Sequence, residues 1–581
     1  ELPLQNRLRL WGIELVSAAA FYWVVNWLFS SGLGITNDLL RRLSWIRWPI
    51  SVRPIGFFAA DHSRLIAVAL VGLLLASPWI LDGLLKWEYR QQSLSSRELK
   101  AFSPEGLRLL RRICTQRGWP LPELRRIPEA APCCFSYGWH PRNIRIVVSQ
   151  GLLEQFSAEE TASFLAYEMA HGILWDLPVI SGIGAVLLIV YQAYWRLARW
   201  GDRLKQPWLK YLLGAIASLC YGIFWLLRKI SLELSRQRST CADHTTAMLT
   251  GQPQLHQQCL IKLTRAISET INHHGSTPPL LESLDYLMPL SQRIALSPGS
   301  SADSREKLLS LLAWDYQNPY RFWLLWNLPQ MPTGERLIRL EGYQSGSNIS
   351  PKPSVTKTFG LKPAVAGNTY LPPLLLQGSP IIGALIGLVA AMGLWFIGGV
   401  SNAFNWFRIS WFYQDPSIIK GFFLLGLGIG LLVRVNRYFP EMQSRPTQSL
   451  DLASFQKNPL RLPIDSQPTY LEGILLGRSG LANWLCQDFI LRTANGLVRL
   501  HLLSGLGPLG NLSMQRHHPV EALGQTVGIK GWLRRGPTLW MDVQNIRSGR
   551  TNFSLSNPPL WTTLVGLGTC LWGIFILFKG Y

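Results

Sequence analysis

Seven apolar runs set the frame for everything else in this chain. A helix needs about 20 mostly apolar residues to cross a bilayer core of ~30 Å. Residues 65–85, 177–194, 211–227, 380–400, 418–433 and 560–578 meet or approach that length, and 11–33 is a weaker seventh because it contains Glu14 and Asn26. The alternative for 177–194 and 211–227 is a buried soluble hairpin, since both are short for a span. Only 15% of the residues are charged, as expected of a membrane protein. Many of the 25 tryptophans lie at the ends of the runs, among them Trp45, Trp48, Trp87, Trp175, Trp195 and Trp208. That placement suits an interfacial aromatic belt. Gly383/Gly387 and Gly426/Gly430 give G-x-x-x-G spacing inside two runs, which favours close helix packing.

The formal net charge is +22. The basic residues are scattered beside the apolar runs and not gathered on one element. They fit contact with anionic membrane lipids better than nucleic acid, which is not expected as a partner. Residues 41–64 and 196–210 are both basic and fall opposite the large soluble parts, so charge alone leaves orientation open. Eight cysteines, none in a C-x-x-C pair, argue against a disulfide framework. They point to a reducing compartment, hence soluble parts on the cytoplasmic side. The first run lacks a small-residue cleavage site and is read as an anchor.

The soluble stretches alternate with these runs. The reading divides the chain into a membrane hairpin (1–89), a first soluble part (90–176), a second hairpin (177–228) and a second soluble part (229–344). A Ser/Pro/Gly-rich linker (345–379), a third hairpin (380–437), a further domain (438–557) and a last span (558–581) follow. Within 438–557, short alternating runs at 470–476, 488–492, 498–502, 526–533 and 539–543 are punctuated by glycine. They predict a small β-barrel of the OB or SH3-like kind. Protein contact is the favoured use of such a module.

The chemistry concentrates in 157–176, SAEETASFLAYEMAHGILWD. Ser157 and Glu160 form a capping box and predict a helix starting just after Ser157. Tyr167, Glu168 and His171 then take the places of H-E-x-x-H. In that motif two histidines one turn apart grip zinc, and the glutamate accepts a proton from zinc-bound water. Here the first histidine is a tyrosine.

Three segments carry a resemblance. The order APCCFSYG, IRIVVSQGLL, SAEETASFLAYEMAHG is similar to the HtpX and CAAX-prenyl-protease family of integral-membrane zinc metallopeptidases, peptidase family M48. That family shows a P-N-A-F-x-x-G segment, a strand ending in G-L-L and the H-E-x-x-H helix. LSRQRSTCADHTTAMLTG at 234–251 resembles its S-R-x-R-E-x-x-A-D segment, and PTGERLIRL at 332–340 its H-P-P-x-x-x-R-I-x-x-L tail. The resemblance covers about 100–340. It implies a mainly helical zincin-like domain and places Ser239 where the third zinc ligand, a glutamate, belongs.

On that alignment the metal positions are Tyr167, His171 and Ser239, and only His171 keeps a ligand. Glu168 becomes a vestigial general base. Asp243, Arg236 and Arg238 are its expected neighbours. A neutral phenol and an alcohol are poor zinc donors near neutral pH. A rebuilt site of His171, Cys241 and His244 competes. Against it, Cys241 lies about 200° and His244 about 140° around a helix from position 239. The plainer expectation is a core histidine at 171 bonded to Asp243 or Ser239, with Glu168 paired to Arg236 or Arg238. His273–His274 and His517–His518 read as surface turns, and Cys133–Cys134 as packed thiols.

The fold expected is therefore a polytopic α-helical membrane protein with about seven spans, a zincin-like domain and a C-terminal small β-barrel. The function expected is a pseudoprotease, without zinc, that binds membrane-protein clients in assembly or quality control. An active zinc metalloendopeptidase of membrane proteins and a structural subunit of a larger membrane complex are the alternatives.

Overall fold

The computed structural model describes residues 4–44, 55–56, 60–302, 304–322, 325–344, 371–404, 406, 409–413, 415–442, 452–457, 465–511, 518–549, 551–553 and 556–579. Most of the expected linker (345–370) lies outside these, as do Trp45, Trp48 and His517; Leu371–Gln377 forms a short helix. The chain divides into two units: Glu1–Leu308 with Leu324–Leu361, and Leu309–Trp323 with Lys362–Tyr581.

Among the described residues, seven helices are long and apolar enough to cross a membrane. Four are in the first unit: Leu4–Leu43, Ser63–Tyr89, Leu177–Arg203 and Pro207–Thr250. The last is 44 residues, or about 66 Å at 1.5 Å per residue, twice a bilayer core. Its first half is the apolar run. Its second half carries Ser235 to Asp243, so hairpin and site share one rigid element. No helix break separates 228 from 229.

A four-stranded sheet completes this unit: β1 (Gln92–Ser93), β2 (Glu123–Ile127), β3 (Cys134–Tyr137) and β4 (Arg145–Ser149), in the order β1-β2-β4-β3. β2 and β4 run parallel, and the other pairs antiparallel. The amphipathic helix expected near 104–118 is Pro104–Arg117. Ser103 caps its start and Gly118, at φ 62°, ends it by turning left-handed where a Cβ would strain.

In the second unit Ser379–Ala403, Pro416–Tyr438 and Pro558–Lys579 pack together. A Cβ on Gly426 would stand 2.1 Å from the Gly383 carbonyl oxygen, and one on Gly387 2.1 Å from that of Phe422. The backbones touch there, as the G-x-x-x-G spacing anticipates. Five strands then close a barrel: β5 (Asp465–Gly477), β6 (Phe489–Thr493), β7 (Gly496–His501), β8 (Thr526–Arg535) and β9 (Leu539–Ser548). The circuit runs β5-β6-β7-β9-β8 and back to β5, with β7 and β9 parallel. This Greek-key order is of the OB type. Leu475, Phe489, Val498, Ile529 and Met541 are among the side chains that fill its core.

Residues 309–323 group with the barrel unit and not with 229–344. Arg535 explains this: its guanidinium lies over the Trp314 ring and donates to the Leu311 carbonyl.

Candidate active-site cleft

The motif helix is Ala158–Leu174. The capping box forms: Glu160 N donates to Ser157 Oγ at 3.2 Å, and Ser157 N to Glu160 Oε2 at 2.8 Å. Every residue from Thr161 to Leu174 is buried, so the helix is enclosed on all sides. At its end Trp175 turns left-handed, φ 61°, and reverses the chain.

That reversal places Asp176 beside the imidazole. His171 Nδ1 and Asp176 Oδ2 are 2.8 Å apart. Asp176 Oδ1 pairs with Arg238 Nε at 3.2 Å. All three side chains are buried. Burial pushes the Asp176 carboxyl up, but Arg238 and His171 outweigh it and hold the group below the usual range. The expected partners of His171, Asp243 and Ser239, are engaged elsewhere. Ser239 Oγ donates to the Arg236 carbonyl of its own helix at 2.9 Å. Asp243 receives both prongs of Arg336, at 2.7 and 2.6 Å, and lies 3.2 Å from His256 Nε2.

Tyr167 is buried between two imidazoles. Its ring stands edge-on to His171, centroids 5.1 Å apart, and is stacked on His256 at 5.7 Å. Burial raises its hydroxyl well above the ordinary phenol range, so it stays neutral. Glu168 does not bond Arg236 or Arg238, as the sequence suggested. Arg236 is taken by Glu233 and by the carbonyls of Leu325 and Leu328, and Arg238 by Asp176. Glu168 Oε1 accepts from Cys134 Sγ at 3.4 Å, while the buried Oε2 has no hydrogen-bond partner among the described residues. Burial is the main cause raising its pKa, against smaller lowering effects of His171 and its other neighbours. Cys133 and Cys134 are buried thiols. Burial pushes Cys133 up to about 12 and Cys134 well above its ordinary value.

Residues 109–294 match the model of peptidase family M48. They form an HtpX-like M48 domain. A protease HtpX homolog of Syntrophobacter fumaroxidans is 29% identical over 246 residues, 41% of this chain and 84% of the relative. Protease HtpX of Legionella pneumophila is 26% identical over 41% of this chain and 83% of its own length. A homolog from Acaryochloris marina is 29% identical over 41% and 83%. No solved structure shows a significant match.

The M48 family implies a catalytic zinc, which needs three protein ligands and one open position. The side chains of this M48 domain do not fit one. The phenol of Tyr167 is neutral and packed, and the hydroxyl of Ser239 is turned into its own helix. Asp176 and Asp243 are held by guanidinium groups. Cys241 and His244 do not rebuild the set. His244 packs edge-on to Tyr343 with centroids 4.4 Å apart. Among the described residues, no three His, Cys, Asp or Glu side chains are grouped to hold a metal ion.

Sequence reasoning missed Asp176, His256 and Arg336. A carboxylate just past the motif helix and before a proline was a usable signal for Asp176. Arg336 sits inside the segment quoted for the resemblance. His256, 93 residues from its partner Ser163, had no local signal. His273 and His274 end the helix Pro253–His274 and line a groove of about 790 Å³ that includes none of the motif residues. His518 lies just ahead of the short turn Pro519–Ala522 and receives the Val520 N–H.

Proposed function

We propose that this membrane metallopeptidase-like protein is a pseudoprotease. It would bind extended segments of membrane proteins in the M48 cleft, in assembly or quality control, with its soluble parts on the cytoplasmic side. The observation that carries this reading is Tyr167. A neutral, buried phenol stacked on His256 occupies the first ligand position, leaving His171 as the one imidazole at the motif. One imidazole does not hold a divalent ion in the way peptide hydrolysis requires.

The second reading, an active zinc endopeptidase, draws on the His171–Asp176 pair. A carboxylate on Nδ1 orients metal-binding histidines in many sites. Metal analysis of the purified full-length protein separates the two. The proposal expects zinc well below one per chain and no change on His171→Ala. One zinc per chain, lost on His171→Ala, would overturn it in favour of the active enzyme.

A further inference from the structure

The first span, Leu4–Leu43, is held to its neighbours at separated points. At the cleft end Trp11 Nε1 donates to the Leu174 carbonyl at 3.5 Å, just before the helix Leu177–Arg203 begins. Further along, Tyr22 donates its hydroxyl to the Ser63 carbonyl at 3.2 Å, at the start of Ser63–Tyr89. Phe29 then stands edge-on to His62, with ring centroids 5.8 Å apart.

Between these contacts the three helices do not close. A groove of about 280 Å³ runs among them, lined by Ala18 and Phe21 of the first, Leu70 and Val71 of the second, and Val179 and Val186 of the third. Its floor is the contact of the second helix with the third, where a Cβ on Gly182 would stand 3.2 Å from Leu74 Cγ. The described residues that line it are apolar except Tyr22, whose hydroxyl is engaged by Ser63. Small residues at helix interfaces ordinarily let backbones approach. Here Ala18 and Ala67 border open space instead.

Size and chemistry restrict what such a space takes. A buried water needs at least two polar partners, and an apolar lining does not supply them. Apolar cavities of about 150 Å³ already bind benzene. A helix is about 10 Å across, so a space of about 280 Å³ admits less than one turn of it. A single hydrocarbon chain fits. All three helices are long and apolar enough to cross a membrane, so lipid chains lie alongside them.

The end near Ser63 also offers a charge. Arg64 is exposed and lies three residues before Ala67, hence on the same face of the helix. The neighbouring carboxylate, Asp61, accepts from the Ser63 N–H and hydroxyl, both at 2.9 Å. A guanidinium at the start of a span is placed to meet a lipid phosphate.

We propose that this groove is a binding site for one phospholipid, with one acyl chain lodged among the three helices and the phosphate at Arg64. The lipid fills the gap that the two ends of the first span leave, and it is held by the folded domain while the surrounding lipid exchanges. The inference does not depend on whether the cleft hydrolyses peptides.

The test uses the full-length protein in nanodiscs of dioleoylphosphatidylcholine that contain a trace of the same lipid with a diazirine on one acyl chain. After irradiation, adducts are read peptide by peptide. They should concentrate on the peptides that carry Phe21, Leu70 and Val186. Val389 and Phe396, 69% and 73% exposed on the helix Ser379–Ala403, give the level for exchanging lipid. Groove adducts at or below that level overturn the site. Native mass spectrometry after extraction into mild detergent gives the second reading. The parent should keep a single phospholipid and Ala67→Phe, which puts a ring into the groove, should lose it. Val389→Phe should keep it. A parent that keeps no phospholipid, or an Ala67→Phe variant that keeps it equally, overturns the proposal. Equal retention by Arg64→Gln overturns the phosphate assignment.

Discussion

His171 and Asp176 are joined at 2.8 Å across a chain reversal of five residues, and the same carboxylate holds the buried Arg238. Removing Asp176 therefore strands a guanidinium and an imidazole in the interior. Breaking such a buried pair costs about 3–5 kcal/mol. Asp176→Ala is expected to lower the thermal midpoint of the detergent-solubilised protein sharply. His171→Ala, which leaves the Asp176–Arg238 pair intact, should cost much less.

Asp176 also sets a pH dependence with a definite sign. Arg238 and His171 hold its folded pKa below the ordinary value, so on acidification the unfolded chain takes up the proton first. Its stabilisation is complete above about pH 4, the ordinary aspartate range, and is lost as pH falls below it. Thermal midpoints measured through that range should drop more steeply for the parent than for Asp176→Asn.

Glu168 has the opposite sign. Burial raises its folded pKa, so the unfolded chain releases the proton first as pH rises. Its contribution is complete below the ordinary glutamate range, about pH 4.3, and is lost above it. Glu168→Gln is expected to raise the thermal midpoint near pH 7 and to leave it unchanged at pH 4. A lower midpoint for the variant at pH 7 would contradict the burial account.

Tyr167 and Ser239 allow a gain-of-binding test. Tyr167→His with Ser239→Glu supplies the missing donors beside His171, and the family scaffold should then take up about one zinc. Zinc content after dialysis reads the result. Failure would mean that the Arg238 and Arg336 pairings, and not just the ligand identities, shape the cleft.

The glycine contacts in the second unit predict a sharp contrast. Gly426→Ala places a methyl 2.1 Å from the Gly383 oxygen and must push two helices apart. Overpacking of this kind costs about 1–3 kcal/mol. Gly393→Ala, on the same helix as Gly383 but with nothing within 4 Å of the added carbon, should be neutral in the same thermal assay.

Much of this architecture was written locally. The seven spans follow from apolar length, because a bilayer forces a hydrogen-bonded helix on any such segment. The capping box of Ser157 and Glu160 fixed the start of the motif helix, and alternation with glycine punctuation marked the five barrel strands to within a few residues. Tyr167, His171 and Ser239 were singled out from identity and spacing along two helices alone. What occupies the space around them was not legible. His171 binds Asp176 because Trp175 turns left-handed, and a sequence does not announce that turn. Asp243 binds Arg336 across 93 residues, and Tyr167 stacks on His256, because four separate helices converge there. Buried charges choose whichever partner the packing brings within reach, and that choice belongs to the tertiary structure alone.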